Sequence, residues 1–148
     1  TLPRAIARTR WPGRLERVPG DPPLLLDGAH NPAGARALAA HLAPGPPYVL
    51  LFGAMEDKDV RGLARALFPG AAEIVLTRPR IARAATPEAL ARRAGGLATR
   101  AHREPSVARA LSLARRLARE RGATVVVAGS LYLIGAVTAL LERERERR

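Results

Sequence analysis

Asp27, His30 and Asn31 fall within five residues in the stretch LLLDGAHNP, between an aliphatic run and an apolar helical pattern. Each residue type has a chemical use at such a position. A carboxylate at a strand end can accept hydrogen bonds from the ribose hydroxyls of a nucleotide. An imidazole can orient a reacting group or a substrate carboxylate, and an asparagine can cap the helix that follows. Each also has a purely structural use: Asp27 can accept from its own loop, and His30 can pack beside the helix start. Three further polar clusters follow aliphatic runs: Glu56-Asp57-Lys58-Asp59, then Thr77 with Arg78, Arg80 and Arg83, then Gly129-Ser130. Asp57-Lys58-Asp59 reads as a solvated turn in which one aspartate caps a helix. Ser130 reads as a cap that can also anchor a carboxylate. His41 and His102 read as surface residues.

The elements that must position these side chains are legible in the periodicity. Residues 23–26, 48–52, 73–76 and 124–127 are aliphatic runs bounded by turn residues and do not alternate with polar positions. Such runs predict strands covered on both faces and hence a parallel sheet. Between them, Ala35, Leu38, Ala39 and Leu42 form one helical stripe, Val60, Leu63, Ala64 and Leu67 a second, and Val107, Ala110, Leu111 and Ala114 a third. Asn31-Pro32 and Thr86-Pro87 mark helix starts, and Gly95 and Gly122 mark ends. A last helix is expected from about Leu131 into the Glu-Arg tail, with Glu144 pairing to Arg147 or Arg148. Residues 15–18 suit a short edge strand. The predicted fold class is α/β, a Rossmann-like, mostly parallel sheet with helices on both faces. In such a sheet ligands bind outside the carboxyl ends of the strands, where all four polar clusters fall.

Composition narrows the chemistry. The 148 residues contain no cysteine, which excludes disulfides, thiolate metal sites and cysteine nucleophiles. The three histidines have no metal-ligand spacing, so no metal site is expected from these residues. There is no GxxxxGK[ST] phosphate loop, no GxGxxG fingerprint and no GxSxG elbow. With no apolar run long enough to span a bilayer and no signal peptide, the chain reads as cytoplasmic. The net charge of +12 invites a nucleic-acid partner, while the cation-rich strand ends and helix starts suit an anionic ligand. The basic residues are spread along the chain, all arginine except Lys58, without interleaved aromatics. That pattern argues against nucleic acid as the main partner.

Four blocks carry a resemblance: WPGRLE at Trp11 to Glu16, DGAHNP at Asp27 to Pro32, FGAMEDKDV at Phe52 to Val60, and GSLYLIG at Gly129 to Gly135. In order and spacing they resemble the C-terminal domain of the folylpolyglutamate synthase and dihydrofolate synthase family, which is similar to the Mur ligases. The resemblance implies an ATP-dependent ligase. ATP phosphorylates a substrate carboxylate, and the amine of glutamate attacks the acyl phosphate. It implies that Arg14 contacts the ATP phosphates, a role suited to the guanidinium fork, and that Asp27 accepts from the ribose. His30 would be the catalytic residue, at the glutamate side of the cleft, and Ser130 would help hold a glutamate carboxylate. Arg78, Arg80 and Arg83 can assist in neutralising charge. ATP and Mg²⁺ are the implied cofactors, with Mg²⁺, the phosphate loop and reduced folate belonging mainly to a larger N-terminal ATPase domain. Residues 1–12 would then be a linker or the tail of that domain, residues 13–148 the glutamate-ligase domain, and the isolated chain inactive. The implied partners are the N-terminal domain, ATP, glutamate and a reduced folate, with no membrane. Two alternatives stand beside this reading: a Mur-type peptidoglycan amino-acid ligase domain, and a non-enzymatic basic module that binds RNA or other anions.

Overall fold

A computed structural model describes residues 13–148. The expected linker at residues 1–12, with Trp11 and Pro12 of the first block, lies outside the described residues. In chain order the elements are β1 (Glu16–Val18), β2 (Leu24–Leu26), α1 (Pro32–Leu42), β3 (Tyr48–Phe52), α2 (Val60–Leu67), β4 (Ala71–Leu76), α3 (Pro87–Ala94), a 3₁₀ turn (Gly95–Ala98), β5 (His102–Arg103), α4 (Val107–Arg121), β6 (Thr124–Ala128) and α5 (Leu131–Glu146). The strands form one sheet in the order β1-β2-β6-β3-β4-β5. Only the edge pair β1–β2 is antiparallel; β2–β6, β6–β3, β3–β4 and β4–β5 are parallel.

Strand residues divide by parity between two cores. Leu25, Leu50, Phe52, Ile74, Leu76, Val126 and Ala128 face α1, α2 and α3. Leu24, Leu26, Val49, Leu51, Val75, Val125 and Val127 face α4 and α5. Helices therefore cover both faces, which is why these strands are aliphatic throughout instead of alternating. The helical stripes meet the sheet as the spacing predicts: Val60, Leu63, Ala64 and Leu67 of α2 are fully buried. Burying each of the larger three contributes about 1.5–3 kcal/mol. Phe68, just past α2, sets its ring edge-on to Phe52 at 5.2 Å between centroids.

Side chains satisfy the free N–H groups at the helix starts. Asn31 Oδ1 accepts from Gly34 N (2.8 Å), Asp59 Oδ1 from Gly62 N (2.9 Å) and Thr86 Oγ1 from Ala89 N (3.1 Å). Ser106 and Ser130 cap α4 and α5 in the same way. Gly122, at φ 59°, ends α4 with its N–H bonded back to Ala118 and Arg119 carbonyls, the left-handed stop a glycine makes without a Cβ penalty.

Three details differ from the sequence reading. The two-residue strand β5 is polar and carries no periodic signal. Glu144 forms its ion pair across helices, receiving two bonds from the Arg115 guanidinium at 2.7 and 3.1 Å, because α4 and α5 lie side by side on one face. His102 is half-buried and bonded to Glu73 at 3.1 Å, not a free surface residue.

Candidate active site

The three central parallel strands end together, and their loops are tied to one another by backbone bonds that continue the ladder. Asp27 N donates to Val127 O (2.9 Å), Gly129 N to Ala29 O (3.0 Å) and Gly53 N to Ala128 O (3.4 Å). The crowding requires glycine. Gly129 has φ 114°, and a Cβ there would overlap the Gly53 carbonyl oxygen. A Cβ on Gly28 would overlap Leu131 Cδ2. Two clefts open on this floor.

The first, of about 540 Å³, is lined by Arg14, Asp27, His30, Asn31 and Leu131 among others. Arg14 is exposed and stands between two left-handed residues, Gly13 (φ 77°) and Leu15 (φ 47°). A left-handed leucine costs about 1–2 kcal/mol, so its surroundings must hold it. They do: Leu15 N donates to Asp27 Oδ2 at 3.2 Å, and Gly13 N to Glu16 Oε1 at 3.2 Å. Asp27 Oδ1 accepts from Ala29 N at 2.9 Å, so one half-buried carboxylate binds the β1 approach to the β2–α1 turn. Its structural role is real, and because an ionised carboxylate offers about four acceptor sites it retains capacity for further donors. His30 is exposed at the rim. Its Nδ1 lies 2.9 Å from Gly28 O; a carbonyl can only accept, so Nδ1 donates there and Nε2 is the ring nitrogen left for a ligand.

The second cleft, of about 180 Å³, is lined by His30, Lys58, Arg83, Ser130, Leu131 and Tyr132 together with Met55 and Asp57. Ser130 is buried, and its Oγ accepts from Tyr132 N at 3.0 Å; that cap leaves the hydroxyl proton available to donate. Arg83 reaches the Tyr132 hydroxyl at 3.3 Å, its guanidinium 5.9 Å from the ring centroid. Arg93, from α3, donates to Glu56 O (2.8 Å) and Lys58 O (2.6 Å), pinning the β3–α2 loop that carries Lys58. Each cleft includes a capped helix start, Asn31 of α1 in one and Ser130 of α5 in the other. Free N–H groups and the positive dipole end there favour anions.

The structure thus brings Arg14, Asp27 and His30 to one cleft and His30 and Ser130 to the other. It separates the arginines after β4. Arg83 lines the second cleft, Arg78 is occupied by the carbonyls of Ala84 (3.0 Å) and Ala82 (3.5 Å), and exposed Arg80 lines neither. Thr77 is fully buried and bonds Pro105 O at 3.4 Å, a packing role. Tyr132, Arg93 and Leu131 are absent from the sequence-derived set. Tyr132 had a signal, two residues beyond Ser130 in the same block; Arg93 had none, because its targets lie 35 and 37 residues away. Among the described residues no three His, Asp or Glu side chains gather closely enough to hold a metal ion, and no helix is long and apolar enough to cross a membrane.

The profile of the Mur ligase glutamate ligase domain covers residues 13–131, and the chain belongs to that family. Within it, the similarities are to folate enzymes. The folylpolyglutamate synthase of Mycobacterium tuberculosis, solved with ADP and AMPPCP, superposes with a TM-score of 0.84 at 34% identity, over 90% of this chain and 33% of that one. FolC of Escherichia coli, solved with DHPP and ADP, gives 0.84 at 27% identity, over 95% of this chain and 33% of that one. The dihydrofolate synthase/folylpolyglutamate synthase of Bacillus subtilis is 50% identical over 38 residues, 26% of this chain and 9% of that protein. The chain spans about a third of the length of the solved relatives it matches.

Proposed function

We propose that this chain is the C-terminal domain of a cytoplasmic ATP-dependent ligase that joins glutamate to a folate through an acyl phosphate. The observation that carries the reading is the position of His30 between two clefts, one with Arg14 and Asp27 and the other with Ser130. The first would take the nucleotide. Arg14 would donate to its phosphates, and Asp27, with acceptor sites left over from the loop, would accept from the ribose hydroxyls. The second would take glutamate, its carboxylate received by the Ser130 hydroxyl and the α5 start. His30, with Nε2 available, would stand where the two reactants meet and accept a proton from the attacking ammonium or amine. The exposed cations and single half-buried carboxylate fit a nucleotide's phosphates and sugar better than a divalent ion. Mg²⁺ would therefore be held mainly by an N-terminal ATPase domain, which would also bind the folate. Relatives three times as long, solved with nucleotides, support this division.

Two experiments test the reading. The isolated chain, mixed with ATP, Mg²⁺, glutamate and a reduced folate, should release no phosphate above background. Aligning amine and acyl phosphate is worth up to about 7–11 kcal/mol in well-oriented systems, and half a cleft cannot supply it; robust turnover would sink the proposal. In the full-length protein Arg14→Ala should raise the KM for ATP by roughly 10–100-fold, the loss of about 1.5–3 kcal/mol for a hydrogen bond to a charged group. An unchanged ATP dependence would remove Arg14 from the nucleotide site.

A further inference from the structure

Leu131 is 58% exposed, the most exposed large apolar side chain among the described residues, and it stands at the first position of α5 on the floor of the site. Neither core cluster includes it. The fold nevertheless makes room for it: Gly28 lies under Cδ2, where any Cβ would overlap. Leaving a leucine in water forgoes its hydrophobic burial, yet the position beneath it is kept clear. Leu131 and His30 are also the two described residues that line both clefts. One is a polar group able to handle a proton. The other is an isobutyl group with nothing to offer a reactant except bulk and dryness.

We propose that Leu131 is a positioning residue, the apolar partition between the phosphate cleft and the amine cleft, and that it keeps water from the acyl phosphate while the amine is admitted beside His30. The inference rests on the ligase reading above. In the productive step the amine nitrogen bonds the acyl carbon, the carbon–oxygen bond to phosphorus breaks, phosphate leaves with the electron pair, and the nitrogen gives up a proton. If water attacks instead, its oxygen bonds the same carbon, the same bond breaks, and the free carboxylate returns, so that one ATP is hydrolysed with no amide formed. Excluding water from a reactive intermediate is a recognised contribution of closed sites. Here it has a specific agent.

The test is the ratio of phosphate released to amide formed by the full-length protein with ATP, Mg²⁺, glutamate and a reduced folate. The wild-type ratio should be near one. Leu131→Ala should raise it about fivefold, by admitting water to the intermediate, while Leu131→Met, of similar volume, should return it towards one. Gly28→Ala provides a second variant: its methyl would overlap the flexible end of Leu131 and come within 3.3 Å of the Gly13 carbonyl oxygen, so it should displace that side chain at the cost of a shift of a few tenths of an ångström in the loop; its ratio should rise as well. A ratio that stays near one in Leu131→Ala and Gly28→Ala, with wild-type amide synthesis intact, overturns the partition and leaves the ligase reading standing. A wild-type protein that forms no amide overturns the ligase reading and the partition together.

Discussion

At the carboxyl edge of the sheet the carboxylate of Asp27 serves the backbone amides of Leu15 and Ala29; towards the opposite edge Glu73 takes the guanidinium of Arg121 and the ring of His102. The same division holds more widely. The ion pairs among the described residues are Glu73 with Arg121, Glu104 with Arg109, and Glu144 with Arg115, and Glu73 also bonds His102. None involves Arg14, Lys58 or Arg83. In a chain this basic, Glu73, Glu104 and Glu144, away from the clefts, take arginines, while Asp27 and Asp59, beside the clefts, bind backbone amides and leave the site's cations without carboxylate partners among the described residues. Arrangement, more than total charge, is what suits the clefts to an anionic ligand.

Unfolding experiments on the chain can break that contrast. The largest effect is expected for Asp27→Ala, which leaves two amides without their acceptor and should cost about 2–3 kcal/mol, seen as a lower urea midpoint. Asp27→Asn keeps one acceptor oxygen and should lose about half as much. Equal stability of all three proteins would show that Asp27 holds no loop. Next comes Ser130→Ala, which removes the cap of α5 and should cost about 1 kcal/mol. Glu144→Gln should cost less, about 0–1 kcal/mol, because the Arg115 pair is partly solvated, and 1 M salt should erase most of the difference.

Acid should sharpen the contrast by the smallest margin. The Arg121 guanidinium, then His102, holds the Glu73 carboxyl below its usual value, and Arg115 does the same for Glu144. Both carboxyls are ionised in folded and unfolded chains above about pH 5, so their contribution is complete there. As pH falls past about 4.3 the unfolded chain protonates first, and the contribution is lost by the time the folded groups follow. A Glu73→Gln/Glu144→Gln double variant should therefore lose stability less steeply between pH 5 and 3 than the wild type. Identical slopes would show that these pairs do not set the acid response.

Much of this was legible in the sequence because each signal was local. Aliphatic runs gave β2, β3, β4 and β6, three-four periodicity gave α1, α2 and α4, and Asn31-Pro32 and Thr86-Pro87 marked helix starts that the side chains do cap. The placement of Asp27, His30 and Ser130 at one edge follows from the rule that sites lie at the carboxyl ends of parallel strands; Arg14, which precedes β1, was reached only through the resemblance of its WPGRLE block. What escaped was long-range. Arg93 reaches across to the loop of Lys58, Arg115 finds Glu144 through the packing of two helices, and Leu131 acquires its place from Gly28, past the end of β2. The short polar β5 had no pattern to read, since its pairing with β4 supplies what its own residues do not.

The contact between Gly129 and Gly53 bears on how the central strand finds its alignment. Val125, Val126 and Val127 are interchangeable to either core, so a slip of β6 by one residue would exchange valine for valine at two of these places and alanine for valine at the third, a small loss of burial. It would also put Ser130, with a side chain, where only a glycine clears the Gly53 carbonyl. The pair thus acts as an end stop for threading the innermost strand. Because that stop lies on the floor of the clefts, a mispaired sheet and a misassembled site are the same error, and the chain cannot settle into the first while keeping the second.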